Sequence, residues 1–233
     1  MKELAIIMPL YNEADSIEGV VHKWITEFHR LDIAFELHAY NDGSRDDSLI
    51  KLKALADHFP ELVVHNKVNS GHGPTILQGY REQGHFPWLF QIDSDDELDI
   101  VGFEAIWNSR ENHDFLIGDR GNRNSPPARS FITWVTRLTV ELFYGKGVQD
   151  VNCPFRLMRS ATFNRLFDQI PESTFAPNVI ISGYVALKKL RFKEVRIQHQ
   201  FRTTGEVSIR KWKLFRAAFL SFWQTFKFRF RLY

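Results

Sequence analysis

Five consecutive residues, Asp93-Ser94-Asp95-Asp96-Glu97, place four carboxylates directly after the apolar run Trp88–Ile92. Carboxylates crowded this closely disfavour one another's charge unless a counter-charge is present. A hard divalent cation supplies one, held by one or two carboxylates and completed by substrate phosphate oxygens. Asp93 and Asp95 are two residues apart, so on an extended segment they project to the same side. An isolated Asp-x-Asp is more often an acidic exposed turn, and here position lifts it above that. Three other segments carry matching chemistry. Leu4–Leu10 runs into Tyr11-Asn12-Glu13, where Tyr11 offers a flat face and Glu13 an acceptor. Asn41-Asp42-Gly43-Ser44 adds a second acceptor in Asp42, though it would equally serve as a turn with a helix cap. In Asn69-Ser70-Gly71-His72-Gly73-Pro74 the two glycines permit close backbone approach, and a helix N-terminus suits phosphate.

These segments need strands to aim them. Leu4–Leu10, Phe35–Tyr40, Leu62–His65, Trp88–Ile92 and Phe115–Ile117 read as short buried strands. Helical spacing separates them: Ile17 to Leu31, about Asp46 to His58, Pro74 to Arg81 and Val101 to Ser109. This alternation predicts a mostly parallel sheet with helices on both faces, and ligands beyond the carboxyl ends of its strands. Farther on, Asn122–Arg129 reads as a polar loop. Phe131 to Leu142 forms a helical stripe ending at Gly145, Val179–Leu190 reads as helix and Phe192–Ile197 as strand. The chain has 233 residues, 44% apolar and 25% charged, which excludes a disordered tail, a collagen-like chain and a disulfide scaffold. One cysteine, Cys153, makes neither an internal disulfide nor a cysteine-based zinc site. No secretory leader and no spanning helix are read. One α/β domain, residues 1–209, is expected, followed by a basic amphipathic helix over 210–233.

In their order and positions these motifs resemble family 2 glycosyltransferases of the GT-A fold, most closely the dolichol-phosphate mannosyltransferase and polyprenol-phosphate hexosyltransferase branch. The resemblance runs from Pro9 to about Ser208. It implies a Rossmann-like, mostly parallel central sheet flanked by helices. It implies that Pro9, Tyr11, Glu13 and Asp42 hold the donor nucleotide with Gly71 and Gly73, and that Asp93 lies near the ribose. Asp95 would bind Mg²⁺ or Mn²⁺, with Glu97 as a further ligand. Gly118-Asp119-Arg120 corresponds to a Gly-Ser-Arg segment of the branch. Arg129 and Thr133 are similar to an Arg-x-x-x-Ser pair implied to hold the acceptor phosphate. Asp150-Val151-Asn152-Cys153-Pro154-Phe155-Arg156 resembles Asp-x-x-Ser-Gly-Phe-Arg, departing at Cys153 and Pro154. His199-Gln200-Phe201-Arg202, with Gly205 and Ser208, resembles a late Arg-x-x-Gly-x-Ser motif.

The net charge of +2 hides a division. Residues 1–116 hold 9 Lys/Arg and 21 Asp/Glu, a net −12; residues 117–233 hold 21 and 7, a net +14. Transfer to a sugar hydroxyl requires a general base, usually a carboxylate. Residues 173–193 contain no Asp or Glu, whereas a phosphate acceptor is already anionic and asks only for positive charge. Arg120, Arg129, Arg156 and Arg202 are the candidates to supply it. Asp95, Arg120 and Arg129 form the expected catalytic set; Arg129, Thr133, Arg156 and Arg202 the expected acceptor-phosphate set.

The function expected is therefore an inverting, metal-dependent hexosyltransferase. It would use a nucleotide-diphosphate sugar and a polyprenol phosphate, peripherally bound at the cytoplasmic face of a membrane. A carbohydrate-hydroxyl acceptor, with Asp150 or Glu172 as base, is the alternative within the fold. A basic nucleic-acid-binding module is the alternative outside it, disfavoured because the acidic cluster repels a polyanion. Residues 210–233 carry seven Lys/Arg and no acid. Phe215, Phe219, Phe222, Phe226 and Phe230 recur there at helical steps, as in an interfacial helix or in a C-terminal helix packed on the core, and both can hold if the first turns pack and the last touch lipid.

Overall fold

The structure is a computed structural model. It describes residues 2–95, 100–121, 127–197 and 211–232, without the side chains of 127–132, 211–215 and 217. Seven strands form one sheet in the order β3-β2-β1-β4-β6-β5-β7. They are β1 (Leu4–Leu10), β2 (Phe35–Asp42), β3 (Leu62–Lys67), β4 (Trp88–Gln91), β5 (Phe115–Asp119), β6 (Arg156–Arg159) and β7 (Phe192–Arg196). β1 pairs in parallel with β2 and β4, β2 with β3, and β5 with β7. β6 alone runs antiparallel, wedged between β4 and β5.

The helices are α1 (Ile17–Arg30), α2 (Ser48–Ala56), α3 (His72–Glu82), α4 (Val101–Asn108), α5 (Pro127–Tyr144), α6 (Ser160–Gln169), α7 (Pro177–Leu187) and α8 (Lys211–Arg229). Every residue of β1 is buried, as a central strand covered on both faces requires. On one face Trp24 and Phe28 of α1 pack against Phe90 of β4 and Phe103 of α4, with ring centroids 4.7 to 6.0 Å apart. On the other, Tyr80 of α3 stacks on Phe167 of α6 at 5.0 Å, and Phe163 meets Phe115 of β5 at 5.8 Å. These contacts dominate the core, since each buried aromatic removes the largest apolar area from water.

Three elements differ from the sequence expectation. β6 and α6 were not anticipated. α5 begins at Pro127, where the sequence reads as a polar loop to Arg129; proline suits a first helical position because its missing N–H would be unpaired there anyway. α8 is the third. Ser221, Thr225 and Phe228 face inward, Tyr144 Oη donates to the Thr225 carbonyl at 2.7 Å, and Arg229 Nε donates to the Phe143 carbonyl at 2.7 Å. The expected phenylalanine stripe is split: Phe226 packs edge-on against Phe143 at 4.9 Å, whereas Phe219 and Phe230 are exposed.

Candidate active site

The carboxyl ends of β1, β2, β3 and β4 surround a cleft of about 390 Å³, lined by Pro9, Leu10, Tyr11, Glu13, Asp42, Asn69, Gly71, His72, Thr75, Asp93, Ser94 and Asp95. All four sequence segments meet there. Their loops are fastened to one another by local chemistry. Ser44 Oγ accepts the Asn12 N–H at 3.0 Å, Asn12 Oδ1 accepts the Arg45 N–H at 2.8 Å, and Ser48 Oγ accepts the Glu13 N–H at 2.8 Å. Ser16 Oγ donates to the Ser94 carbonyl at 3.1 Å, tying the first loop to the aspartate loop. Loop backbone that would otherwise lack partners is thus satisfied between loops rather than within them.

Asp42 is the hub on the β2–β3 side. Its carboxylate accepts the Ser70 and Gly71 N–H groups at 2.8 Å each and is ion-paired with Lys67. Burial works to raise its pKa, but Lys67 and the two backbone donors outweigh it and hold the group below the ordinary range. Lys67 Nζ also reaches Ser70 Oγ at 2.6 Å and Thr75 Oγ1 at 3.2 Å. Lys67 was not among the expected residues; the carboxylate it pairs with lies 25 residues away, so no local motif announces it. The two glycines have different work. Gly71 has φ +95°, a conformation side chains rarely adopt, which turns its N–H onto Asp42. Gly73 is a packing glycine: a Cβ there would collide with the Thr174 and Phe175 carbonyls.

Asp93 and Asp95 stand on the β4 side. Asp93 Oδ1 lies 3.1 Å from His72 Nε2, across the mouth of α3. Burial opposes a charge on His72, yet Asp93, Asp95 and Asp42 together raise its pKa. Reciprocally, burial opposes ionisation of Asp93, and His72 and Arg120 lower its pKa. His72, too, was unassigned in the sequence reading. Asp93 and Asp95 supply oxygen donors of the kind Mg²⁺ and Mn²⁺ take. Among the described residues no three ligating side chains converge, so a cation held here would draw its remaining ligands from substrate phosphate, water or residues outside the description. Glu97 lies outside the described residues.

The basic side is arranged differently. Arg120, just past β5, makes a two-pronged ion pair with Asp150, Nε to Oδ2 at 2.6 Å and a terminal nitrogen to Oδ1 at 2.9 Å, both side chains about nine-tenths buried. Arg156 is completely buried, and its guanidinium donates to the carbonyls of Cys153, Asn178 and Val151. It holds the 150–154 turn and the start of α7 and is not brought to the cleft surface. The Cys153 carbonyl takes two of those bonds, and burial pushes the Cys153 thiol up to about 12. Thr133 is an exposed residue of α5, one turn beyond Arg129, whose side chain is outside the description, as is all of Arg202. Glu172 is exposed and points at Arg81, 3.5 Å away. Of the two suspected bases, therefore, one is spent on Arg120 and neither lines the cleft.

Comparison with known proteins gives three further findings. A family model described as glycosyl transferase family 2 matches residues 5–169. Among curated proteins, an uncharacterized glycosyltransferase of Synechocystis sp. is 27% identical over 229 residues, 93% of this chain and 67% of that protein. An undecaprenyl-phosphate 4-deoxy-4-formamido-L-arabinose transferase of Pseudomonas paraeruginosa is 25% identical over 210 residues, 87% of this chain. The chain spans only 59% of that transferase's length. Among solved structures, glucosyl-3-phosphoglycerate synthase from Mycobacterium tuberculosis, in complex with Mn²⁺, UDP and glucosyl-3-phosphoglycerate, superposes with a TM-score of 0.66 at 15% identity, over 97% of this chain and 79% of that one. At that identity the likeness concerns the fold alone.

Proposed function

Because the chain belongs to glycosyl transferase family 2, and its single mostly parallel sheet is that of the GT-A enzymes, we propose that it moves a hexose from a nucleotide-diphosphate sugar to a polyprenol phosphate, with inversion. The observation that carries the acceptor assignment is where the carboxylates are. Those lining the cleft belong to the strand ends of the donor side, and neither Asp150 nor Glu172 faces it. A phosphate oxygen attacks the anomeric carbon without a base, so this arrangement suits a phosphate acceptor. The relation to an undecaprenyl-phosphate transferase supports the same choice.

In this reading the ring of Tyr11 meets the base, and Glu13 and Asp42 accept from base or ribose. Pro9, Gly71 and Asp93 shape the donor pocket; Gly73 acts through packing. A divalent cation, Mg²⁺ or Mn²⁺, would be held by Asp95 with Glu97 and would neutralise the developing charge of the leaving diphosphate. Arg120 keeps positive charge beside Asp93. Arg129, Thr133 and Arg202 are assigned to the acceptor phosphate. No helix among the described residues is long and apolar enough to cross a membrane. The exposed face of α8, with Phe219 and Trp223 beside Arg216 and Lys227, is assigned, together with Phe230 and Arg231 just past its end, to the headgroup region on the cytoplasmic side.

The deciding experiment supplies purified protein with polyprenol phosphate, UDP-, GDP- and dTDP-hexoses and Mg²⁺ or Mn²⁺. A lipid-linked hexose of inverted anomeric configuration is expected. Product formed only on free sugars or glycans would overturn the acceptor assignment.

A further inference from the structure

Asp93 is steered from beneath by side chains that line no part of the cleft. Gln91, the last residue of β4, is completely buried, flanked in the sheet by Ile7 of β1 and Arg156 of β6. Its Oε1 accepts from Tyr80 Oη of α3 at 2.5 Å and from Asn178 Nδ2 of α7 at 2.8 Å. Its Nε2 lies 3.4 Å from Asp93 Oδ1, the same oxygen that His72 approaches. Tyr80 and Asn178 are also buried, and Tyr80 Oη is 3.1 Å from Asn178 Oδ1. Burial raises the Tyr80 phenol, so it remains a donor.

The chemistry of this triangle fixes the amide. Rotated by half a turn, Gln91 would set its NH₂ against the Asn178 NH₂ and its oxygen against the Asp93 carboxylate, replacing two attractions with repulsions. With its oxygen occupied twice, the amide can only present N–H to Asp93. Two donors then converge on Oδ1, which fixes the rotation of the carboxylate and turns Oδ2 to the other side. Asn178 is itself anchored, because Arg156 donates to its backbone carbonyl at 3.1 Å.

We propose that Gln91, locked by Tyr80 and Asn178, is a positioning residue that sets the Asp93 carboxylate for the donor. The inference rests on the reading of Asp93 as a donor-side residue. Two variants of the full chain test it. Q91E, compared above the pH at which its buried carboxyl ionises, still accepts from Tyr80 and Asn178 but cannot donate to Asp93. Y80F leaves the ring stacked on Phe167 and removes one of the two donors that hold the Gln91 oxygen. Crystal structures of both variants and the parent give the Asp93 position; calorimetric titration with UDP, GDP and dTDP in MnCl₂ gives the affinity.

In Q91E the carboxylate is expected to swing by about 1 Å or more, and the dissociation constant of the nucleotide that binds the parent to rise roughly tenfold. Y80F should change both in the same direction by less, with a melting temperature near the parent's. An Asp93 that superposes on the parent in both variants would overturn the positioning role. A displaced Asp93 with unchanged nucleotide affinity would uphold the positioning and overturn the donor-side reading. Should UDP, GDP and dTDP all fail to bind the parent, the donor-side reading also falls, and the carboxylate position alone decides the role of Gln91.

Discussion

On the acidic side of the cleft, carboxylates are held by backbone N–H groups or polar side chains and line open space; on the basic side, the arginines whose contacts are described are spent on the protein itself. Asp42 takes two backbone donors and still borders the cleft. Arg156 gives four hydrogen bonds to three carbonyls and borders nothing. The difference follows from topology. Parallel strands end together, so residues just past β1, β2, β3 and β4 converge without further support. The 150–154 turn feeds an antiparallel strand into the middle of the sheet, and its inward carbonyls need a donor where no water reaches. A guanidinium with five N–H groups meets that need from one side chain. Division of charge along a sequence thus indicates ligand charge on the acidic side and, in part, internal bracing on the basic side.

The sharpest way to break this comparison is to remove one residue from each side. Asp95→Asn should lower kcat/KM by about three orders of magnitude, roughly 4 kcal/mol of transition-state stabilisation, with the melting temperature unchanged. Arg156→Ala should do the reverse. It leaves the Cys153, Val151 and Asn178 carbonyls without that donor and opens a cavity, costing about 3 kcal/mol of stability. For a chain of this size that is a fall of about 6–12 °C in melting temperature. Activity per folded molecule should change far less. A thermal melt of Arg156→Ala that matched the parent, with activity gone, would return Arg156 to the acceptor site.

The same contrast explains what the sequence made legible. β1, β2 and β4 are short apolar runs that break into polar residues, so both the strands and the ligand edge follow from local pattern. β6 does not, because Arg156-Leu157-Met158-Arg159 is bracketed by charge and its burial depends on carbonyls of another segment. His72 and Lys67 escaped for a related reason: each is defined by a carboxylate at least 21 residues distant. Gly73 was legible as necessary but not as packing, since its neighbours Thr174 and Phe175 lie about 100 residues downstream.

The acidic half also contains a buried group whose charge has no place, and this gives a smaller effect. His38 of β2 lies with Nδ1 3.0 Å from His65 Nε2 and Nε2 3.1 Å from Glu36 Oε2, with His85 nearby. Burial first, then the His65 charge, lower its pKa to about 4, while Glu36 works the other way. The unfolded chain binds this proton near pH 6.5, so between pH 6.5 and 4 the unfolded state holds more protons than the folded one. The contribution is fully present above pH 6.5 and is lost as the pH falls through 4, amounting to about 2 kcal/mol by pH 5. Urea midpoints at pH 7 and pH 5 should separate for the parent and move together for His38→Gln. Equal separation in both would place the acid sensitivity elsewhere.

The mildest test concerns a basic surface that is not internal bracing, the outer face of α8. On α8, Arg216, Phe219, Leu220, Trp223 and Lys227 are exposed and recur at helical steps, as are Phe230 and Arg231 just past its end, while Ser221, Thr225 and Phe228 pack inward. One side of the helix is therefore committed to the fold and the other to whatever lies outside. Trp223 is 51% exposed, so replacing it removes little packing, and Trp223→Ser should leave the melting temperature within about 2 °C. If the outer face enters a headgroup layer, losing that ring should weaken partition onto anionic vesicles by roughly tenfold, about 1.4 kcal/mol. Lys227→Gln should weaken it less, and its effect should vanish in high salt whereas that of Trp223 should persist. Equal salt sensitivity in the two variants would mean that attraction to the lipid charge acts alone, and that the aromatic residues of α8 never leave water.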